Sequence, residues 1–512
     1  MRPLHGFPAR RPRLAGWLAA LTGALALLAF GSRAVGAEPP PLEIESSLPK
    51  LDAAFRWAVA KALSYVQTGR TGVVDGHEQN RAGTGRVAYI PSYWAGYTWR
   101  TAFYARDFCH QADGAHLLGL APENLSMLRA FARSATPGRR GYPLWALNFD
   151  GSPFKLDYHG DDSFVREVPA VFELVEQCHR QFLWTADRAY LDDPDLRAFA
   201  ARAVTEFIGW HDARRPNGVA EGDGSGDIFR GCATYNEIRS PLIEAGDGIA
   251  CEYQALLAWS RLLAGRGERA QAKAFAARAD RLQSYFNTTW GVQAGSDRYV
   301  RGYNVKGEAL TDFGRENSWF MPMKFITRPS AKTDACLDFI AHAVETPEGR
   351  PPNLEAISYL PGVFLPYHRV EEGWRWLEYI IDQRDREYPE ISYTLVSHVV
   401  TGLLGVEPNA PEHALLTIAH LPRAVTRLGV RRIPVGAHRV DVTHEGGSRS
   451  TVTHAAGPGR LHWAACFDGD HATLRVNGRS RRAQSLSLHG RRASSVPVHL
   501  APGATATVEV AP

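Results

Sequence analysis

Apolar residues recur with the 3.6-residue period of an α-helix along most of the chain from Leu51 onward. Short runs rich in glycine, proline and aspartate interrupt this pattern. Some of the periodic segments begin with helix start signals, such as the Asp193-Pro194 pair. The pattern predicts helices at residues 51–67, 98–119, 121–134, 163–184, 194–212, 239–264, 267–287, 316–323, 329–345, 354–366, 370–384 and 390–404.

The breaks between these segments differ in length and composition. Some are short, such as residues 265–268, whereas others are long and rich in charged and aromatic residues. The long breaks are residues 71–96, 140–162, 213–238, 290–317 and 385–390. Short links at one end of a helical array and long loops at the other predict helical hairpins in a toroid with one functional face, because sites concentrate in long loops on rigid scaffolds.

A different pattern covers residues 430–512, where apolar and polar residues alternate with period two. Glycine-containing turns such as Asn477-Gly478 separate the alternating runs. This part is predicted to be a small antiparallel β domain. We expect a helical domain at residues 51–407 and a C-terminal β domain at residues 408–512.

The N-terminus has the features of an export signal. A charged start is followed by an apolar run at residues 14–30 and the small-residue sequence Val35-Gly36-Ala37, so we expect a signal at residues 1–37 and a linker at 38–50. A membrane anchor is less favoured because the apolar run is short. Residues 1–37 contain five arginines and no acid, so their removal lowers the formal charge from +4 to about −1.

This charge balance and the later sequence exclude some classes of function. We expect no nucleic-acid partner, no membrane span after signal cleavage, and a periplasmic or secreted protein. From Arg423 to Pro512 the chain has thirteen arginines and five acids. A solvated basic face is favoured over contact with an acidic polymer.

The six cysteines have no spacing typical of a zinc site. We expect no metal and no cofactor. Buried free thiols are favoured over disulfides, and Cys232 with Cys251 is the first pair to test for a disulfide. The cysteines are Cys109, Cys178, Cys232, Cys251, Cys336 and Cys466.

Charged and polar residues interrupt the aromatic-rich segment 97–124. Arg106 and His110 share one helical face, and Asp107 and Gln111 share the next. Ionised groups are rarely buried in such surroundings unless they are paired or functional. Two adjacent hydrogen-bonding faces suit the hydroxyl groups of a polyol. The alternative is a structural ion pair between Arg106 and Asp107.

Further binding candidates lie in two other loops. His159 and Asp161 fall in the loop that precedes the helix predicted at residue 163. Arg315, Glu316 and Trp319 open the helix predicted at residue 316, where an exposed Trp319 would stack on a sugar ring. A core position is the alternative for the tryptophan.

Glu390 is a candidate general base. It follows Pro389 at a predicted helix start, where the helix dipole favours a carboxylate. The alternative is that Glu390 only stabilises the helix. Catalysis by a carboxyl acid and a carboxyl base needs the two groups in different environments, one protonated and one ionised.

The partner carboxyl is expected in the loop at residues 221–227, where glycine occupies every second position from 222 to 226. Glu221, Asp223 and Asp227 are the candidate acids. Asp227 is favoured because Ile228 and Phe229 beside it would raise its pKa by desolvation. A calcium loop or a plain turn are the alternatives.

In architecture, residues 50–512 resemble the six-hairpin glycosidase superfamily of (α/α)6 barrels, which includes glucoamylase-like, processing-glucosidase-like and α-L-rhamnosidase-like families. Arg106-Asp107, the 221–227 loop and the segment 388–393 occupy the places where such enzymes often keep a sugar clamp, the general acid and the general base. The resemblance implies a mainly α fold, an (α/α)6 toroid followed by a small antiparallel β-sandwich. It also implies an inverting, cofactor-independent glycoside hydrolase that acts on an oligo- or polysaccharide.

Two other functions remain open at this point. A polysaccharide lyase or sugar epimerase on the same barrel would abstract a proton with a tyrosine or histidine, which directs attention to His110, His159, Tyr235 and His398. A non-catalytic glycan-binding protein would bind sugars without turnover.

Overall fold

The computed structural model describes residues 42–236, 241–386 and 388–511. The predicted export signal at residues 1–37 lies outside them. Within the described ranges, no helix combines the length and apolar character that a membrane crossing requires.

Helices dominate the chain from residue 49 to residue 403. The α-helices are α1 (Pro49–Ser64), α2 (Ala105–Leu117), α3 (Ala121–Ser134), α4 (Val168–Thr185), α5 (Ala189–Asp192), α6 (Pro194–Arg202), α7 (Ile208–Trp210), α8 (Gly246–Gly265), α9 (Arg269–Tyr285), α10 (Glu316–Met323), α11 (Ala331–Ala343), α12 (Leu354–Ile357), α13 (Leu360–Phe364), α14 (Val370–Asp382) and α15 (Pro389–Ser397). Turns of π-helix extend α6, α9 and α15 at Ala203–Phe207, Phe286–Trp290 and His398–Leu403, and 3₁₀ turns lie at Leu365–Tyr367 and Ala410–Glu412.

Strands occur in short pairs among the helices and as longer elements after residue 406. They are β1 (Glu43–Ser46), β2 (Thr71–Val73), β3 (Arg86–Ala88), β4 (Ala102–Tyr104), β5 (Ala146–Asn148), β6 (Tyr158–Gly160), β7 (Ser163–Phe164), β8 (Leu242–Ala245), β9 (Gly302–Asn304), β10 (Ala309–Leu310), β11 (Glu407–Asn409), β12 (Ala414–Ile418), β13 (Arg427–Val435), β14 (His438–Glu445), β15 (Arg449–Ala456), β16 (Leu461–Asp468), β17 (Thr473–Val476), β18 (Arg479–Arg482), β19 (Gln484–Leu488), β20 (Arg491–Leu500) and β21 (Thr505–Val510).

Each predicted helical segment contains a helix, but three begin later than predicted. The starts predicted at residues 98 and 163 precede or coincide with β4 and β7. The start predicted at residue 239 lies outside the described residues, and β8 precedes α8 from residue 242 onward. These strands pair with β5, β6 and β9 before α2, α4 and α8 begin. Two to four residues are too few for the apolar period to distinguish a strand from a helical turn.

Six helices contact one another in a closed cycle. Helix α15 packs on α2, α2 on α4, α4 on α8, α8 on α10, α10 on α13, and α13 on the π-helical end of α15. Each of the six also packs against a further helix, namely α1 on α15, α3 on α2, α6 on α4, α9 on α8, α11 on α10 and α14 on α13. The starts of α2, α8, α10 and α15 carry the charged residues described below.

Two glycines allow close contacts within this cycle. A Cβ atom on Gly114 would lie 2.1 Å from the backbone oxygen of Tyr393, so α2 and α15 approach closely only because residue 114 has no side chain. A Cβ on Gly246 would lie 2.2 Å from the backbone oxygen of Asn317. The absence of a side chain at residue 246 therefore allows the start of α8 to pack against α10.

The alternating C-terminal pattern forms two sheets, as predicted. One sheet has the strand order β1-β13-β14-β15-β21-β17-β18 and the other has the order β11-β12-β16-β20-β19. Neighbouring strands are antiparallel except β12 and β16, which are parallel. Residues 43–46 lie in the predicted linker but form β1, which pairs with β13.

A shared apolar core joins the two sheets to the helices. One cluster contains Val440 and Trp463 from the two sheets together with Phe55 of α1 and Leu395 of α15. A second, larger cluster fills the helical part. The division into domains at residue 407 therefore stays a prediction, because apolar contacts cross it.

All six cysteines are buried and free. Cys232 and Cys251 therefore do not form the disulfide that was the first to test. Burial raises the pKa of both thiols, which keeps them protonated.

Candidate active site

Arg106 connects the start of α2 to two other parts of the chain. Its guanidinium group donates to the backbone oxygen of Tyr235 at 3.0 Å and to Oε2 of Glu355 at 3.4 Å. It also lies over the Tyr235 ring at 5.5 Å. Both members of the Arg106–Glu355 ion pair are largely buried, so the pair is protected from screening by water. Glu355 was not among the residues expected in the site.

Asp107 and Glu390 form a carboxyl–carboxyl pair between α2 and α15. The Glu390 side chain is fully buried, and the Asp107 side chain lies close enough to act on its charge. No N–H or O–H group of the described residues donates to either Glu390 oxygen. Burial and then the charge of Asp107 raise the pKa of Glu390 well above its usual value.

Glu316 is a buried carboxylic acid at the start of α10. Burial raises its pKa to about 8 against the lowering effects of its own backbone N–H and of Arg106, and Glu355 and Asp247 add to the rise. At neutral pH the group is mostly protonated and able to donate a proton. Arg315 just before it has a φ of 54°, a strained backbone conformation for an L-residue of the kind that often occurs at functional sites.

Asp247 fixes the loop that holds Arg106. Its Oδ2 accepts hydrogen bonds from Thr234 Oγ1 at 2.8 Å and from the backbone N–H of Tyr235 at 2.7 Å. Burial raises its pKa to about 7. In the sequence, only its position between Gly246 and Gly248 distinguishes this residue.

His110 and Gln111 have partners inside the protein rather than free hydrogen-bonding faces. His110 Nε2 lies 2.7 Å from Ser358 Oγ, and its ring stacks on Tyr359 at 3.7 Å. Gln111 is fully buried and donates to the backbone oxygen of Trp94 at 3.3 Å. Of the four residues that we expected to bind hydroxyls, only Arg106 and Asp107 join the carboxyl cluster.

A network of buried charges lies next to this cluster. Lys324 Nζ is 2.5 Å from Glu173 Oε1 and 2.6 Å from Glu176 Oε2. Tyr235 donates its hydroxyl proton to Glu173 Oε2 at 2.7 Å, which links the network to the loop that holds Arg106. Glu173, Glu176 and Lys324 also line a cavity of about 600 Å³ that extends to residues of the C-terminal sheets.

The acids of the 221–227 loop are engaged in the structure of that loop. Glu221 accepts backbone N–H groups of residues 213–215, and Asp223 accepts from Ser225 and pairs with Arg230 at 3.0 Å. Asp227 is exposed and accepts the backbone N–H two residues further on. The expected desolvation of Asp227 is therefore wrong, and its assignment as the general acid loses its physical basis.

Of three other expected binding residues, two are exposed and one is buried. Asp161 is exposed and hydrogen-bonded to Arg139 and to the Tyr158 hydroxyl, both at 2.7 Å. His159 is exposed and stacks on Phe229. Trp319 is fully buried and offers no exposed stacking face, so it follows the core alternative.

An exposed aromatic surface lies beside the carboxyl pair instead. Trp99 exposes 47% of its surface and stacks on Tyr97 with ring centroids 4.8 Å apart. Tyr97 contacts Tyr388 at 5.5 Å, and Tyr388 precedes Glu390 by two residues. An exposed stacked indole is a suitable surface for the apolar face of a pyranose.

The groups expected for proton abstraction are not activated for it. Burial raises the pKa of Tyr235 far above its usual value, whereas a tyrosine base needs a lowered one. Burial lowers the pKa of His110, and it lowers that of His398 to about 4. His159 lies apart from both on the exposed surface.

The fold matches solved glycosidases at low sequence identity. The GH78 family rhamnosidase of Bacillus sp. GL1 matches with a TM-score of 0.53 and 13% identity over 80% of this chain and 40% of its own. The α-L-rhamnosidase from Dictyoglumus thermophilum has a TM-score of 0.58 and 10% identity over 92% and 50% of the two chains. The enzyme from Aspergillus terreus has a TM-score of 0.55 and 10% identity over 90% and 50%.

These matches support a six-hairpin glycosidase-like fold for the chain, as the resemblance implied. The chain spans half or less of the length of these three proteins. No protein-family model matches the sequence, and no curated protein matches it by sequence.

Proposed function

We propose that the chain is an exported glycoside hydrolase that cleaves a glycosidic bond of an oligo- or polysaccharide with inversion. Its helical part is assigned as an (α/α)6 toroid and its C-terminal sheets as a β-sandwich. The closed cycle of six helices supports the first assignment, and the core shared by the two sheets supports the second. The observation that carries the function is the cluster in which protonated Glu316 accompanies the buried carboxyls of Asp107 and Glu390.

In this proposal Glu316 is the general acid. It donates its proton to the oxygen of the departing group, since burial keeps it protonated at neutral pH. The Asp107–Glu390 pair is the general base. In this assignment one carboxyl of the pair is ionised and accepts a proton from the attacking water, while the other forms a hydrogen bond with that water. Glu390 thus keeps the role expected from the sequence, but it shares that role with Asp107.

Arg106 and Glu355 position the sugar. Their ion pair is buried and fixed to the Tyr235 backbone, so its remaining hydrogen-bonding capacity is held in a defined orientation. Trp99 and Tyr97 stack on a neighbouring sugar ring at the exposed edge of the cluster.

The first test is a screen of aryl glycosides. An aryl α-L-rhamnoside comes first because the matched structures include rhamnosidases. On the substrate found, Glu316→Gln is expected to lose about 100- to 10,000-fold in kcat when the leaving group is a poor one such as an alkyl alcohol. The loss becomes small with a dinitrophenyl leaving group, which departs without protonation. An equal loss on both substrates contradicts the assignment of the general acid.

Product stereochemistry tests the role of the carboxyl pair. Proton NMR of the first product is expected to show the anomer opposite to that of the substrate, because the base activates a water on the far side of the ring. Release of the same anomer indicates a covalent intermediate and contradicts the inverting mechanism.

Export is part of the proposal and rests on the sequence of residues 1–37. N-terminal sequencing of the protein recovered from the extracytoplasmic fraction is expected to begin at Glu38. Recovery of the chain in the cytoplasm with residues 1–37 attached contradicts it.

A further inference from the structure

The hairpin formed by β17 and β18 carries a concentration of arginine. Arg475 lies on β17, and Arg479, Arg481 and Arg482 lie on β18, all within the segment 473–482. All residues of β18 are exposed. The strand is at the end of its sheet, so one side of its backbone has no neighbouring strand. We call this segment the arginine hairpin.

These arginines differ from others in the same sheets. Six arginines pair with acidic side chains, namely Arg427, Arg431, Arg432, Arg449, Arg491 and Arg492. Across the described ranges, no acid lies within ion-pair distance of the four in the arginine hairpin. Glu509 is opposite Arg475 in the strand register without forming such a pair. The hairpin thus presents uncompensated positive charge to solvent.

Hydrogen-bonding groups lie beside this charge. Ala483 connects β18 directly to β19, the end strand of the second sheet. Gln484, Ser485 and Ser487 of β19 are exposed. Alternate residues along a strand are about 7 Å apart, so Arg479 and Arg481 can contact separate anionic groups on an extended chain. Charged residues that only protect a sheet edge from pairing with another chain need no neighbouring row of amide and hydroxyl groups.

We propose that the arginine hairpin and β19 bind an anionic polysaccharide, one that carries carboxylate or sulfate groups. The guanidinium groups pair with the anionic substituents, and the amide and hydroxyl groups of β19 hydrogen-bond the sugar hydroxyls. Such a site holds the protein on an acidic glycan independently of the carboxyl cluster. The proposal does not depend on the catalytic one, because binding is measured without turnover.

Affinity electrophoresis and titration of the full-length mature protein test this binding. The probes are polygalacturonate and dextran sulfate, with neutral dextran as the blank, at about 50 mM salt where charge interactions are weakly screened. Retardation is expected with both anionic polymers and not with dextran. The triple variant Arg479→Gln, Arg481→Gln, Arg482→Gln is expected to bind about tenfold more weakly, since each exposed ion pair contributes well under tenfold.

The control variant makes the same change in charge on the same sheet. It is Arg427→Gln, Arg431→Gln, Arg449→Gln, in which each arginine is already paired with an acid. It is expected to keep its affinity within about twofold, and thermal melting of both variants checks that they are folded. An equal loss in the two variants, or no retardation of the unsubstituted protein by either anionic polymer, overturns the proposal.

Two further probes separate a glycan site from non-specific attraction. Duplex DNA and vesicles of anionic lipid carry negative charge without the sugar hydroxyls that β19 is expected to bind. Weaker binding to both than to polygalacturonate supports the proposal. Equal or tighter binding to DNA or to vesicles overturns it in favour of a general polyanion or membrane surface.

Discussion

At the scale of single residues, the properties of the site follow from which carboxyls have partners. Glu355 is paired with Arg106, and Asp247 accepts two hydrogen bonds. Glu316 has mainly its own backbone N–H and the charge of Arg106 to oppose burial. For Glu390, the charges of Asp107 and Glu355 add to the effect of burial. Burial thereby raises the pKa of Asp247 to about 7, that of Glu316 to about 8 and that of Glu390 well above its ordinary value. Acid–base catalysis requires carboxyls whose environments differ in this way.

Trp99 provides a test of the aromatic surface beside this cluster. Trp99→Ala is expected to raise KM about five- to twentyfold with little change in kcat, because stacking holds a sugar unit away from the reacting bond. Steady-state kinetics on an oligosaccharide measures both parameters. Trp99→Phe keeps a ring and is expected to restore most of the affinity. A fall in kcat at unchanged KM would show that Trp99 acts on the reaction itself.

The prediction of single residues from sequence succeeded where local signals dominate. Glu390 follows Pro389 at a helix start, and α15 begins there. The prediction that Asp227 is desolvated failed because apolar neighbours in the sequence do not determine the direction of its side chain, which is exposed. Glu355 was missed because its significance arises from Arg106, which is 249 positions away in the chain.

At the scale of elements, helices are held in place by buried polar contacts as well as by apolar packing. Lys324 follows α10, and its ammonium group contacts two carboxylates of α4. The contacts with Glu173 and Glu176 keep the pKa of Lys324 raised despite its burial. A buried network of this kind is costly to assemble but more costly to disrupt at one member.

Lys324→Met is therefore expected to destabilise the protein by about 3–5 kcal/mol, because two buried carboxylates lose their counter-charge. Urea denaturation measures the change. Lys306→Met makes the same substitution at an exposed position and is expected to change stability by less than about 0.5 kcal/mol. A similar effect of the two substitutions would show that the buried contacts contribute no net stability.

Helix α8 contains a second test of burial, at Glu252. Its Oε2 accepts the backbone N–H of Ala220 at 3.0 Å, and burial raises its pKa to about 8. The folded state retains this proton above the ordinary pKa of 4.5, so the protein loses stability as pH rises from about 4.5 to about 8. The Glu252→Gln variant has no ionisable side chain at this position, so it lacks this loss of stability.

The stability of Glu252→Gln relative to the unsubstituted protein is therefore expected to improve by about 1–3 kcal/mol between pH 5 and pH 8. Urea denaturation at the two pH values measures this difference. Glu348→Gln, at an exposed position, is the matched control. A constant difference between variant and parent at both pH values contradicts a buried, protonated Glu252.

At the scale of the whole molecule, sequence periodicity was sufficient for the helices and for the C-terminal sheets. It identified α3 and α10 to the residue. It did not identify β1, because four residues form a strand only through pairing with β13 from the other end of the chain. The positions of α2, α8, α10 and α15 around one cluster likewise depend on contacts far apart in sequence, which a single sequence does not encode locally.

In the proposed mechanism, proton transfer belongs to residues on helices that contact one another, rather than to the loop at residues 221–227. Asp227 and Glu390 are both acidic and both were candidates for catalysis. They differ in exposure and in the groups around them. Asp227 is exposed and hydrogen-bonded within its own loop, whereas Glu390 is buried beside Asp107. Their isosteric variants therefore distinguish the two accounts.

The most direct test compares kcat/KM of Glu390→Gln and Asp227→Asn on the aryl glycoside that the wild-type protein hydrolyses. Glu390→Gln is expected to lose about 100- to 10,000-fold, because an amide cannot accept the proton from water. Asp227→Asn is expected to remain within about twofold of wild type. Full activity of Glu390→Gln, or loss of activity in Asp227→Asn with its fold intact, would contradict the proposed site.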